Sequence, residues 1–188
     1  MARRDPLAKA LDELAELQRA GASVAGMARV RGYLGDKSPH AVGKAVKVAR
    51  KWGASELAGE LVAVFGRAMT SADPGCEIKA AVAEAMCEWM APEGRAVFEK
   101  GIRHRQFEPI HVPPWRVDVA AGLRGWCALG LVAIGHAEQV GLILPLLVDP
   151  ERDPRVFAAR ALSQAGVEAA EMLLRLKALQ GDAEEEVT

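Results

Sequence analysis

Four histidines and three cysteines are the side chains of this 188-residue chain most suited to catalysis or metal binding. Their spacing argues against both. None of His40, His104, His111 and His136 has a histidine four residues on, and Cys76, Cys87 and Cys127 form no CxxC pair, so no helix face or knuckle presents two metal ligands. His104 and His111 share one loop and would need ligands from elsewhere; a surface role is expected for them. No GxSxG turn is present to expose a nucleophilic serine. Gly32-Tyr-Leu-Gly35-Asp36-Lys37-Ser38 resembles a phosphate-binding loop only in outline, because Asp36 stands where the glycine before the lysine must be. Asp36 is better placed to cap the helix that follows. No catalytic residue, metal site or cofactor is therefore expected.

Charge offers a more specific candidate. Lys44, Lys47, Arg50 and Lys51 fall on one face of a helical pattern, where like charges repel. Either acids on a neighbouring element balance them, or they receive an acidic ligand. The whole chain is nearly neutral, with 24 Lys and Arg against 25 Asp and Glu, so net charge predicts no affinity for nucleic acid or membrane. Its distribution is uneven: +6 over residues 1–53, −2 over 54–106 and −5 over 107–188. In an elongated fold the two ends would attract, and end-to-end self-association is a corresponding expectation. Three cysteines without a pairing pattern suit a reducing cytoplasm. The most apolar window, Ala128–Val148, holds His136, Glu138, Gln139 and Pro145 near its middle, which a bilayer-spanning helix would not place there.

The elements that must position these residues are helices. Aromatics make up 5% of the chain; there are 35 alanines, 19 leucines, two threonines and no asparagine, a composition that favours helix over sheet. Four stretches repeat one pattern: 40–53, 77–90, 122–135 and 153–166. Counted from anchors Ala41, Ile78, Leu123 and Pro154, offsets four, seven, eight and eleven are nearly all small or apolar, which is one helical face. Asp36–Pro39, Asp73-Pro74 and Asp153-Pro154 supply caps and first-turn prolines. Gly53, Gly135 and Gly166 supply stops, with Met90 in that place in the second stretch. Further helical patterns run over Ser55–Met69, Pro92–Arg103, Ala137–Leu147 and Glu168–Leu179, and Pro6–Arg19 and Ala22–Leu34 precede the first unit. Unit spacings are 37, 45 and 31 residues.

Leu123-Arg-Gly-Trp-Cys-Ala-Leu-Gly-Leu-Val-Ala-Ile-Gly135 with Val140–Asp149, and Pro154-Arg-Val-Phe-Ala-Ala-Arg-Ala-Leu162, resemble the HEAT repeat, including the HEAT-like repeats named after phycobilin lyases. The resemblance extends over residues 120–181 and, less closely, over 36–70 and 73–106. It implies an all-α fold: a right-handed α-α superhelix, or HEAT-like solenoid, of about four to five antiparallel helix pairs, each buried against its neighbours. Asp182-Ala-Glu-Glu-Glu-Val187 repeats the opening of a unit, so residues 1–188 are read either as one domain with an acidic tail or as the N-terminal part of a longer array. Leu173, Leu174, Leu176 and Leu179 form an apolar stripe before it.

Such solenoids present one helix of each pair to a concave groove. The positions facing it would be the four cations in the first unit, Trp126, Leu129 and Val132 in the third, and Phe157 and Arg160 in the fourth. A patch of Trp126, Leu129, Val132 and Phe157 left in water would be large for a monomer, so something is expected to cover it. The long 45-residue spacing holds the Pro-rich loop 103–117, with Arg103, Arg105, Phe107, Ile110 and Trp115; it would be either a lid over Trp126 or part of a binding surface. The expected function is a non-enzymatic cytoplasmic scaffold, binding another protein or peptide through Trp126, Leu129, Phe157, Phe107, Trp115, Arg103 and Arg105. The alternative is a nucleic-acid-processing enzyme of the HEAT-like alkylpurine DNA glycosylase type, using Lys44, Lys47, Arg50 and Lys51 on the phosphate backbone.

Overall fold

A computed structural model describes residues 5–109, 116–135 and 139–183. Helices α1 (Pro6–Ala20), α2 (Val24–Tyr33), α3 (Pro39–Lys51), α4 (Ala58–Ala68), α5 (Glu77–Glu88) and α6 (Arg95–Gly101) lead to two short strands, β1 (Phe107–Pro109) and β2 (Arg116–Asp118). Helices α7 (Ala121–Ala133), α8 (Val140–Ile143), α9 (Arg152–Ala165) and α10 (Glu168–Gln180) follow. The protein is all-α apart from the antiparallel β1–β2 pair, whose register sets Phe107 opposite Asp118 and Pro109 opposite Arg116.

Each repeating stretch is a helix, and the periodic face is its buried face. Ala45, Val48 and Ala49 on α3, Val82, Ala85 and Met86 on α5, Cys127 and Leu131 on α7, and Ala158, Ala161 and Leu162 on α9 are all at most 2% exposed. Helices α1, α3, α5, α7 and α9 pack side by side in chain order. Against this row lie α2 on α3, α4 on α5, α6 on α7, and both the 3-10 turn Leu144–Val148 and α10 on α9. Small residues permit the closest approaches: a Cβ on Gly130 would run into the buried ring of Phe98, and one on Gly125 would meet Phe157.

The stops behave as their residue types require. Gly53, Gly135 and Gly166 have φ of 65°, 81° and 65°, the left-handed conformation that glycine adopts without a side-chain clash. Met90 takes the same turn at φ 49°. Its carbonyl-side neighbours show the shared motif: Ala91 N–H donates to Met86 O at 3.1 Å, as Ala54 N–H does to Ala49 O.

The starts differ in detail. Asp36 Oδ1 accepts from Ser38 N–H at 2.7 Å, and Asp73 accepts from Ile78 and Lys79 N–H. Asp153 is the expected cap of α9 but lies within its first turn; Glu151 holds the cap position without a side-chain cap bond, and Asp149 accepts from the Glu151 N–H at 2.9 Å just ahead of the helix. Trp52 and Trp89 are half-buried against the core, as their offsets predict. Leu173 and Leu174 of the final stripe also reach the core, while Met172, Leu176 and Leu179 are exposed.

Candidate functional site

The four cations of α3 do not stand alone. Lys44 Nζ donates to Gln18 Oε1 at 2.6 Å. Lys47 lies 3.5 Å from Glu77, and Arg50 pairs with both Glu84 and Glu88 at 2.6 and 2.7 Å. Lys51 is exposed. The acids come from α5, the next helix of the row, and for Lys47 and Arg50 they supply balancing charge, the first of the two expected alternatives. Burial pushes the Glu84 carboxyl above the usual carboxylate range, against the pull of Arg50.

The third and fourth units supply an apolar face. Trp126 on α7 and Phe157 on α9 meet edge to face, with centroids 5.0 Å apart and an interplanar angle of 71°; such pairs add about 0.5–1.5 kcal/mol beyond buried area. The Arg160 guanidinium sits 5.9 Å from the Phe157 centroid. Leu129 and Val132 flank Trp126. All four apolar side chains are half-buried, so part of the covering is mutual: Phe157 fills the space that a side chain at position 125 would take. Trp115, Ile110 and the prolines at 113 and 114 lie outside the described residues. Phe107, another apolar residue of the expected lid, is 49% exposed.

The described part of the inserted loop is fastened by charge. Asp118, at the end of β2, and Asp149, ahead of α9, are 1% and 0% exposed at the side chain, and Arg124 of α7 is 1% exposed between them. Arg124 Nε and Nη2 donate to the two oxygens of Asp149, each at 3.0 Å. Its Nη1 donates to Asp118 Oδ2 at 2.8 Å and to His104 O at 3.1 Å. Arg105, 40% exposed, donates to the same two carboxylates. Asp118 Oδ1 accepts from the N–H of Gln106 and of Ala120. Burial pushes the Asp118 carboxyl up, but these two N–H groups and Arg124 outweigh it and hold its pKa below the ordinary value.

A second cluster ties the loop to α5. Lys79, 3% exposed, donates to Gln106 Oε1 at 2.7 Å and lies 3.5 Å from Asp73. Gln106 Nε2 returns to Asp73 O at 2.8 Å and to Glu108 Oε1 at 2.7 Å, and Glu108 also accepts from Gly75 N–H. A third cluster joins Arg155 and Lys177 to Asp182.

Asp118, Asp149, Lys79 and Arg155 were missed as a set by sequence reasoning, although a signal was there. Around the second, third and fourth anchors an acid five residues before is matched by a cation just after: Asp73/Lys79, Asp118/Arg124 and Asp149/Arg155. These groups are committed to one another, which suits them to hold a surface rather than to exchange protons. The His104 imidazole, desolvated and close to Lys79, is held toward its neutral form. Among the described residues no cluster of three metal-ligating side chains occurs. Burial pushes the Cys76 thiol to about 12 and the Cys87 thiol to about 11, and that of Cys127 well above its usual value, so none is an activated nucleophile. Among the described residues no helix is long and apolar enough to cross a membrane.

No model of a known protein family matches this chain, and no curated protein matches it.

Proposed function

We propose that the chain is a HEAT-like α-solenoid that acts as a non-enzymatic protein-interaction module or scaffold, with its partner docked along α7 and α9 beside the inserted loop. Support for the solenoid is the packing order, in which α1, α3, α5, α7 and α9 each pack on the next in chain order and carry a flanking helix from α3 onward. Support for binding is one observation: Trp126 and Phe157 form a half-exposed aromatic pair on adjacent helices, flanked by Leu129 and Val132. Pre-ordered aromatic side chains of this kind dominate interface energetics. Free Cys76, Cys87 and Cys127 fit a cytoplasmic setting.

The basic face weighs against the nucleic-acid alternative. Lys47 and Arg50 already have Glu77, Glu84 and Glu88 beside them, so a phosphate backbone would approach paired cations and acids at once.

The test is co-purification with the tagged chain from cells that make it, wild type against a Trp126→Ala/Phe157→Ala variant. A discrete partner protein held by the wild type and weakened on the variant by about 2 kcal/mol or more, with the circular dichroism spectrum unchanged, is the expected result. Retention of the same proteins by both forms, or of none by either, overturns the proposal.

A further inference from the structure

Beside the buried Arg124 cluster lies a small cavity of about 160 Å³, lined by Ile102, Arg103, Arg105, Arg124, Leu142 and Pro145 among others. Three arginines line it, and two carboxylates, Asp118 and Asp149, are paired with Arg105 and Arg124. The acceptors are used up. Asp118 takes donors from Gln106, Ala120, Arg105 and Arg124, and Asp149 takes them from Glu151, Arg105 and Arg124, against roughly four lone-pair sites on each carboxylate.

The donors are not used up. Arg103 is exposed and finds no acceptor among the described residues. Arg105 spends only its terminal nitrogens on the carboxylates and keeps its Nε–H. The cluster thus holds one more positive charge than negative, and its spare N–H groups are those of the two more exposed arginines. Ile102, Leu142 and Pro145 give the cavity an apolar wall, in which a charge-assisted hydrogen bond is worth more than in open water.

We propose that this pocket receives the carboxylate of an aspartate or glutamate side chain from a partner protein, bound by Arg103 and Arg105 and backed by Arg124. Guanidinium groups match a carboxylate in paired, planar hydrogen bonds. The size agrees: small-molecule sites usually measure about 300–1,000 Å³, whereas this cavity suits one side chain. The preformed carboxylate cage fixes Arg105 before a ligand arrives, so little ordering is left to offset binding. The partner as the source of the carboxylate rests on the function proposed above; the pocket itself does not.

The probe is N-acetyl-glutamate amide, titrated into the full chain labelled with nitrogen-15 while the arginine Nε–H resonances are followed. The expected result is a saturable shift at Arg103 and Arg105, absent with N-acetyl-glutamine amide and about tenfold weaker in Arg103→Gln. Trp126→Ala should leave it unchanged, which separates this pocket from the aromatic face: failure of the wild type to hold any partner, with this titration intact, sinks only the earlier proposal. No saturable shift, an equal response to the glutamine amide, or full binding by folded Arg103→Gln overturns the pocket. Tighter binding of inorganic phosphate than of the capped glutamate overturns its assignment to a carboxylate.

Discussion

Replacing Arg124 with methionine removes a fully buried guanidinium that joins the third and fourth units. The side chain is 1% exposed and makes four hydrogen bonds, three of them to carboxylates that are themselves 1% and 0% exposed. Removing one partner of a buried ion pair typically costs about 3–5 kcal/mol, because the other charge stays buried. Arg105 remains and still touches both carboxylates, which sets the expected loss at about 3 kcal/mol. For a domain of this size that corresponds to a fall in Tm of about 6–12 °C. Arg105→Met is the control: its side chain is 40% exposed, and solvent screening should hold its cost to about 1 kcal/mol. Urea unfolding followed by circular dichroism at 222 nm measures both at pH 7. The acid limb adds a second reading. The folded Asp118 pKa lies below its unfolded value of about 3.9, so its stabilising contribution is complete above that pH and is lost as pH falls through the folded pKa. Because Arg124 helps to hold that pKa down, the gap between wild type and Arg124→Met should narrow over the same interval. A loss below about 1 kcal/mol, or one no larger than that of Arg105→Met, would refute the reasoning.

One further substitution and one reagent address other parts of the fold. Met90 has φ 49° at an exposed turn, so Met90→Gly should stabilise by about 0.5–1 kcal/mol, relief of the left-handed strain outweighing the added chain entropy; thermal melting that shows destabilisation would contradict the shared-turn account. Cys87, raised to about 11, should react with an alkylating agent at pH 8 about a hundredfold or more slower than free cysteine. Cys76 and Cys127, both fully buried, should react only on unfolding, and mass spectrometry that finds Cys127 modified first in native protein would count against this packing.

The helices were legible because their information is local. Small and apolar residues every three to four positions, punctuated by glycine and proline, fix both the element and its buried face within about fourteen residues. Even Met90 reads correctly in hindsight: the backbone needs a left-handed residue there, and an exposed turn tolerates a side chain that an interior one would not. The inserted segment was legible only as an interruption. Phe107-Glu-Pro109 pairs with Arg116-Val-Asp118, but a strand of three residues with a proline at its end carries almost no periodic signal. The charged contacts were hidden for a different reason. Arg124 meets Asp149 across 25 residues and Arg50 meets Glu88 across 38, so each pair exists only once neighbouring units stack. Offsets still carried part of the answer. The same counting that placed Lys47 and Arg50 on one face of α3 places Glu84 and Glu88 on the corresponding face of α5, and comparing the two units would have paired them.

The three acid–cation pairs also explain how a 45-residue unit fits among shorter ones. In the last two links the cation that follows its own aspartate reaches the next one along the chain: Arg124 to Asp149, and Arg155 to Asp182. In the link that contains the insertion, Lys79 reaches Gln106 instead, and the Gln106 N–H reaches Asp118. The inserted residue therefore relays the contact that a direct ion pair makes elsewhere. Swinging this part of the loop away would take Gln106 Oε1 from Lys79, which keeps Ala68 O at 3.3 Å, and one N–H donor from Asp118, a loss of about 1.5–3 kcal/mol for each hydrogen bond to a charged group. The described part of the loop, residues 103–109 and 116–118, is tied down by the same chemistry that joins the units. A partner docked as proposed at Arg103, Arg105 and the α7–α9 face would meet side chains already positioned, and its binding energy would not be consumed in ordering them.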